Sequence, residues 1–359
     1  MRAALLHNTG DEKLEIVEDM EALPPGPGEV TIAIKATGVC HSDLHAMDGS
    51  LPQTAPFVPG HEGAGVISAV GEGVTTLAEG DHVVVAWSPP CGKCNNCTER
   101  KQPHLCVMIQ FAIAGTPRFT RNGEDVYGMA GMGTFAEYLT VPQEAAVKID
   151  DDIPFEVASL IGCGVTTGVG AAINTAKVVP GSSVVVFGCG GVGISAIQGA
   201  RIAGAATIVA VDRVEEKLEL AKRFGATHAC RPDDLAALQA ELTGDGFDYA
   251  FEAIGSPVTM RAAYDAVRRG GTACVIGVGA MDKEVSFNGF EIFFSEKTFV
   301  GSYYGSADVR SDFHRWLRLW KAGQLDLEGM ITTTAKIDDV NEAFDAMKKG
   351  EVIRTVLTF

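Results

Sequence analysis

Short runs in which apolar and polar residues alternate dominate the first 150 positions. Residues 30–37 (VTIAIKAT) alternate and predict a strand, entered through the turn-forming PPGPG of residues 24–28. Residues 63–70 predict a second strand, closed by the Gly-Glu-Gly turn at 71–73, and residues 81–86 a third. Near residue 165 the pattern changes. Unbroken apolar strands at 183–187, 207–211, 247–251 and 272–276 alternate with stretches of helical period, among them 213–224 and 259–269. Such strands belong to a parallel sheet covered on both faces by helices. From residue 301 onward, including a helical stretch at 312–321, neither pattern holds, and this segment is a candidate to return to the first region. No run long and apolar enough to predict a membrane span is expected.

The chain has 359 residues, which suggests roughly two domains. Its formal net charge of −17 repels phosphate backbones and anionic lipid, so neither nucleic acid nor a membrane surface is an expected partner. The N-terminal residues carry no signal-peptide pattern, and a cytoplasmic location is expected. Thiols stay reduced there. Four of the nine cysteines fall between residues 91 and 106, and that cluster points to metal ligation rather than disulfides.

Directly after the predicted strand at 183–187 comes GCGGVG, residues 188–193, followed by an apolar helical pattern. Gly188, Gly190, Gly191 and Gly193 allow a tight turn and a close backbone approach to a pyrophosphate, which the N-terminus of the following helix favours. Asp212 ends the next strand, nineteen residues beyond Gly193. There it can accept hydrogen bonds from ribose hydroxyls and repel a 2′-phosphate. The order of strand, motif, helix, strand and acid predicts a dinucleotide site that prefers NAD over NADP. Arg213, directly after the acid, is of a type that can contact a 2′-phosphate, but NAD stays the favoured cofactor.

Cys91, Cys94 and Cys97 are spaced C-x-x-C-x-x-C, with Cys106 following. Four thiolates can close a tetrahedron around a structural zinc. Spacing alone does not separate this from an iron–sulfur cluster or redox thiols. A second set is dispersed: Cys40, His41, Ser42, Asp43 and His45, then His61 and Glu62, then Cys163. Spacing does not assemble these into one site.

Taken together, GVCHSD (38–43), GHEGAG (60–65), the cysteine cluster, GCGVTTG (162–168), the glycine motif and IRTVLTF (353–359) closely resemble the zinc-containing alcohol dehydrogenases of the medium-chain dehydrogenase/reductase family. The match runs nearly end to end and looks closest to the class III and nicotinoprotein-like branches. The resemblance implies an α/β fold. A doubly wound parallel Rossmann sheet at 165–300 would bind NAD. A discontinuous, mainly β catalytic domain, 1–164 with 301–359, would be similar to the chaperonin-10 barrel. Two zinc ions per chain are implied, a catalytic one on Cys40, His61 and Cys163 with Glu62 nearby, and a structural one on Cys91, Cys94, Cys97 and Cys106. Asp43 would orient His61.

The reaction implied is reversible hydride transfer between NAD and a primary, secondary or aromatic alcohol or its aldehyde. Zinc would lower the pKa of the bound hydroxyl. Ser42 would pass the proton by way of a nicotinamide ribose hydroxyl to His45. Lys217 matches an adenosine-ribose contact, Arg354 and His41 pyrophosphate contacts, and Thr167 and Val192 nicotinamide contacts, while Val278 is a further cofactor-binding position. Leu51, Trp87 and Met129 would line the substrate channel. A homodimer or homotetramer is expected. Relatives sharing these motifs include thiol-dependent formaldehyde dehydrogenases, nicotinoproteins that retain NAD, and structural proteins with a disabled site. The intact Cys40, His61, Cys163, Ser42 and His45 set speaks against the last. Cys97 and Cys106 are nine apart, one more than in most relatives.

Overall fold

The computed structural model describes all residues, Met1–Phe359. The chain divides into two compact units. One comprises Met1–Cys163, Asp308–Ala322 and Leu327–Phe359, and the other Gly164–Ala307 with Gly323–Asp326.

The second unit is built on the valine-rich strands that the apolar runs predict. Six strands form one sheet in the order His228–Cys230, Thr207–Val211, Ser183–Phe187, Phe247–Glu252, Val267–Val275, Thr298–Gly301, and every neighbouring pair is parallel. Counted along the chain this is the order 3-2-1-4-5-6, the doubly wound arrangement, with its reversal beside the first strand. Val184, Val185 and Val186 have no exposed surface, as expected for a strand covered on both faces. Asp248 stitches three strands together. It accepts from the Ser183 N–H at 2.8 Å, the Ser183 hydroxyl at 2.9 Å and Arg268 Nε at 2.8 Å.

One boundary differs from expectation. The helix expected over 259–269 spans Pro257–Ala266, capped by the Ser256 side chain. Residues from Val267 onward belong to the next strand. Gly270 has φ +71°, and two adjacent glycines at 270 and 271 do not sustain a helix. Arg268 instead reaches back to Asp248.

In the first unit a seven-stranded sheet runs Ala146–Lys148, His82–Val85, Gly63–Val70, Glu29–Gly38, Arg354–Thr358, Ile331–Lys336, with Tyr138–Pro142 also on Glu29–Gly38. All its pairings are antiparallel except that of Ile331–Lys336 with Arg354–Thr358. Register shifts between Thr31 and Ile32 and between Ile34 and Ala36 interrupt the central ladder, as bulges do where a sheet bends. Val30, Ile32 and Ile34, with Phe57, Phe119, Phe135 and Leu139, form the apolar interior. The C-terminal segment does join this unit, through Arg354–Thr358 and the helix Val309–Lys321. That helix begins three residues earlier than the periodicity predicts because Asp308 caps it.

The membrane expectation needs a correction. Residues 157–176 carry no charge, and the helical run Phe155–Thr175 is apolar and long enough to cross a bilayer. In the structure 83% of its apolar window is buried inside the protein, as in a core helix.

Candidate active site and metal centres

Three neighbouring strands bring the dispersed residues together. Glu29–Gly38 pairs Thr37 with Gly63 on one side and Gly38 with Val356 on the other. The Gly38 N–H donates to the Glu62 carbonyl at 3.0 Å, and the Val39 N–H to the Thr355 carbonyl at 3.0 Å. Cys40 follows at once and occupies the N-cap of the helix His41–Asp48. His61 precedes the strand Gly63–Val70, while Cys163 lies in a widened helical turn, Ile161–Val165. Sulfurs of Cys40 and Cys163, an imidazole nitrogen of His61 and a carboxylate oxygen of Glu62 all lie within 4.8 Å of one another, and all four residues are buried.

Asp43 organises this group. Its Oδ2 accepts from the Cys40 N–H at 2.9 Å, and its Oδ1 from His61 Nδ1 at 2.9 Å and the Gly60 N–H at 3.2 Å. With Nδ1 donating, Nε2 of His61 carries the lone pair, and this buried nitrogen has no hydrogen-bond partner. An orphaned acceptor facing two thiols and a carboxylate fits a metal ion. The electrostatics agree. Burial works against a charged His61, but the charge and hydrogen bond of Asp43 and the neighbouring Cys40 outweigh it and lift the imidazole to about 10. The Cys163 hydrogen bond holds the Cys40 thiol well below its usual range, against burial and with help from His61. Without a metal the site thus holds a proton on His61 beside the Cys40 thiolate, and a metal ion would take the place of that proton on Nε2.

The four-cysteine group is also assembled. Cys94 Sγ lies 3.6 Å from Cys97 Sγ and 3.7 Å from Cys106 Sγ. A tetrahedron with Zn–S bonds of about 2.3 Å has edges of about 3.8 Å, so the spacing matches. All nine cysteines are free thiols. The Lys93 and Cys94 N–H groups donate to Cys91 Sγ at 3.5 and 3.3 Å. Burial opposes ionisation of this thiol, but these two N–H groups, with the Cys106 and Cys94 thiols, outweigh it and bring it to about 7. Cys97 is pushed up to about 12, first by burial and then by its thiol neighbours. Four thiols this close cannot all ionise without a cation. The nine-residue interval from Cys97 to Cys106 is absorbed by the turn Pro103–Leu105.

In the second unit the glycine motif joins the strand Ser183–Phe187 to the helix Gly191–Ile202. A Cβ on Gly193 would lie 1.8 Å from the Gly188 carbonyl oxygen, so no other residue fits there, whereas nothing stands within 4 Å of the Cβ position at Gly190. That open space, beside a helix start with no side-chain cap, suits a pyrophosphate. Asp212 accepts from the Cys189 N–H at 2.8 Å and the Val214 N–H at 3.0 Å. It therefore shapes the motif as well as carrying charge. Arg213 is exposed, Lys217 and Val192 are half-buried, and Val278 is exposed.

The remaining candidates are placed as follows. Ser42 and His45 sit three apart on the helix His41–Asp48, on one face and both half-buried, and His41 is exposed. Trp87 meets His61 edge to face, with ring centroids 6.4 Å apart. Leu51 and Trp87 are half-buried against the apolar interior, and Met129 is inside it. Thr167 is half-buried. Arg354 is buried and ion-paired with Glu62.

Known proteins share this arrangement. Residues 26–151 match the alcohol dehydrogenase GroES-like domain, and residues 191–322 match the zinc-binding dehydrogenase domain. S-(hydroxymethyl)glutathione dehydrogenase of Escherichia coli O1:K1 is 41% identical over 370 residues, covering 100% of this chain and 99% of that protein. The chain belongs to the zinc-dependent alcohol dehydrogenase family. Solved structures agree. Benzyl alcohol dehydrogenase from Acinetobacter calcoaceticus superposes with a TM-score of 0.91 at 33% identity, covering 100% of this chain and 99% of the other. An alcohol dehydrogenase zinc-binding domain protein from Burkholderia ambifaria gives 0.93 at 33%, covering 100% and 98%. The chain is accordingly an oxidoreductase of this family. Its cofactors are NAD and zinc, with one group of zinc ligands closed by four cysteines and one built on Cys40, His61 and Cys163. Alcohols or aldehydes are its substrate class.

Two functional contacts escaped the sequence reading. The Glu62–Arg354 pair joins residues 292 apart, and no local pattern signals it. Arg310 Nη2 donates to the Pro90 carbonyl at 2.7 Å, and a Cβ on Gly92 would lie 3.1 Å from its guanidinium. This packs a cation onto the cysteine loop.

Proposed function

We propose that the protein oxidises primary or secondary alcohols, aromatic ones included, to the corresponding carbonyl compounds with exchangeable NAD, and catalyses the reverse reaction. The observation that carries this is the three-ligand group with its orphaned His61 Nε2, walled on one side by the edge-on indole of Trp87. When bound by Cys40, His61 and Cys163, zinc supplies Lewis acidity at the substrate oxygen, and NAD is the hydride acceptor. The chain's own residues do the rest. Asp43 fixes the His61 tautomer and ring direction. Ser42 takes the hydroxyl proton, and His45, on the same helix face and partly open to solvent, releases it. Leu51, Trp87 and Met129 shape the apolar side of the substrate site. Gly188, Gly190, Gly191, Val192, Gly193, Asp212, Arg213, Lys217, Thr167, Val278, His41 and Arg354 serve the dinucleotide. The catalytic domain comprises 1–164 with 301–359, and the NAD-binding domain 165–300.

The full-length relatedness to S-(hydroxymethyl)glutathione dehydrogenase favours a second reading, oxidation of a thiol adduct of formaldehyde. Assays with purified enzyme, NAD and a panel of primary, secondary and aromatic alcohols, each with and without glutathione or mycothiol, separate the two. NADH formed from benzyl-type alcohols without thiol is expected. NADH formed only from formaldehyde with thiol would replace the first reading by the second.

We also propose a cytoplasmic homodimer or homotetramer. Phe290, Ile292, Phe293 and Phe294 are each at least half exposed and lie on the helix Gly289–Ser295. The neighbouring strand Thr298–Gly301 has one unpaired edge. A second copy set edge to edge covers both. Phe293→Glu should lower the sedimentation mass, and an unchanged mass excludes this face as the interface.

A further inference from the structure

Glu252 ends the strand Phe247–Glu252 and lies opposite Phe187, the residue that leads into the glycine motif. These two strands meet at the reversal of strand order, and a doubly wound sheet binds its dinucleotide outside that crevice. The Glu252 side chain has no exposed surface. One carboxylate oxygen, Oε1, accepts from three donors: the Ile254 N–H at 3.0 Å, the Gly255 N–H at 2.8 Å and the Thr259 hydroxyl at 2.6 Å. The other, Oε2, is buried without a hydrogen-bond partner. A buried oxygen left unpaired costs stability, so packing alone does not account for a carboxylate here.

Two loops lock around this carboxylate. The Glu252 carbonyl accepts from the Ile276 and Gly277 N–H groups at 2.8 and 3.0 Å, which sets the loop after the strand Val267–Val275 alongside. A Cβ on Gly277 would lie 2.1 Å from the Gly255 nitrogen and 2.7 Å from Glu252 Oε2, and one on Gly255 would lie 2.2 Å from the Val278 carbonyl oxygen. Backbone meets backbone, with no room for a side chain at either glycine. Two apolar side chains emerge from this junction, Ile254 at 52% and Val278 at 55% exposed. Ile254 also reaches the glycine motif, since a Cβ on Gly188 would lie 2.7 Å from its Cγ1. Branched apolar side chains left open beside a pyrophosphate turn are suited to cover the flat faces of a cofactor's rings.

We propose that Glu252 is a positioning residue for NAD, whose carboxylate fixes these two loops and so presents Ile254 and Val278 to the cofactor. This rests on the assignment of the glycine motif to the dinucleotide. The physical argument is preorganisation. A contact surface that is ordered before binding does not have to be ordered by the ligand. Oε1 gathers three donors from the turn that carries Ile254, and Gly255 in turn packs on the backbone of Val278. Without the carboxylate the three donors lose their common acceptor, and the cofactor itself has to order both loops.

The test is calorimetric titration of the zinc-loaded enzyme with NAD in the absence of alcohol. Glu252→Ala should bind NAD at least about tenfold more weakly than wild type, a difference of about 1.4 kcal/mol. Glu252→Gln keeps an acceptor for the same three donors and should stay within about threefold of wild type. In an Ile254→Ala/Val278→Ala background Glu252→Ala should cost less than about twofold, because the side chains it positions are gone. A general loss of structure would add in full there. Unchanged affinity in Glu252→Ala, an equal loss in Glu252→Gln, or the full loss in the Ile254→Ala/Val278→Ala background overturns the proposal. If Glu252→Ala does not fold, Ile254→Ala/Val278→Ala decides, and NAD affinity equal to wild type overturns it. Unchanged NAD affinity in Asp212→Ala would overturn the placement of the dinucleotide itself, and the proposal with it.

Discussion

The protein carries two groups of four potential metal ligands that differ in almost every other respect. Cys91, Cys94, Cys97 and Cys106 lie within sixteen consecutive residues, three of them partly exposed, and all four donors are thiols. Cys40, His61, Glu62 and Cys163 span over a hundred residues, are all buried, and offer three kinds of donor. In the first group the Cys94 thiol lies 3.6 and 3.7 Å from those of Cys97 and Cys106, at the spacing of a closed tetrahedron. In the second, one candidate ligand is tied to a counter-cation and another is aimed by Asp43. A contiguous, chemically uniform group closes on itself and holds a loop. A dispersed, mixed group in which Cys40, His61 and Cys163 are the metal ligands would leave a fourth position for substrate oxygen.

The largest effect should come from the dispersed group. Cys40→Ser or His61→Ala should lower kcat by at least about 10³-fold, since Lewis acidity is worth several kcal/mol and each 1.4 kcal/mol is about tenfold. One zinc per chain should remain. Retained activity with that metal gone would break the comparison. Cys106→Ser should do the opposite. It should remove the other zinc, lower Tm by roughly 6–12 °C for a loss of about 3 kcal/mol, and leave the kcat of still-folded enzyme within a few-fold. If kcat falls as far as in Cys40→Ser, the two centres are not functionally distinct.

Asp43→Asn should be intermediate. It keeps a side chain of the same shape but weakens the partner of His61 Nδ1, and metal affinity or activity should fall about 10–100-fold. An effect below twofold would show that the helix cap, and not the carboxylate, orients His61.

The two groups also differ in how far they were legible. The C-x-x-C-x-x-C spacing announces a metal by itself, because its ligands share one short loop. For Cys40, His61 and Cys163 only the resemblance to a family joined them. Their proximity is set by strand pairing between Glu29–Gly38 and Gly63–Val70, and by the helical turn at Ile161–Val165. The same limit hid the Glu62–Arg354 pair, which depends on the register of the C-terminal strand. By contrast, the apolar strands at 183–187 and 207–211 and the glycine motif between them were readable from periodicity, because parallel strands covered on both faces need unbroken apolar runs. Helix ends were less legible. The period over 259–269 continues past Ala266, but Gly270, Gly271 and the pull of Asp248 on Arg268 end the helix.

The smallest effect concerns the NAD-binding sheet, which should respond to pH independently of either metal group. Burial opposes ionisation of Asp248, but the Ser183 N–H, Arg268 and the Ser183 hydroxyl outweigh it and hold the carboxyl below its usual range. A folded-state pKa below the unfolded value of about 3.9 stabilises the fold above that value. The contribution is lost as pH falls through the folded-state pKa. Asp248→Asn should cost about 1–2 kcal/mol near pH 7, and less as the pH is lowered below about 4. Denaturation curves at both pH values measure this. An equal cost at both would assign the effect to the shape of the hydrogen bonds and not to charge.

The central claim, one closed centre and one open one, is tested most directly by zinc X-ray absorption on the purified protein with its metal content measured. Four thiolates in one group and two thiols in the other predict two zincs per chain, three sulfur ligands per zinc on average, and a nitrogen or oxygen contribution from the second centre. A single zinc, or an average of four sulfurs with no lighter ligand, would contradict the account.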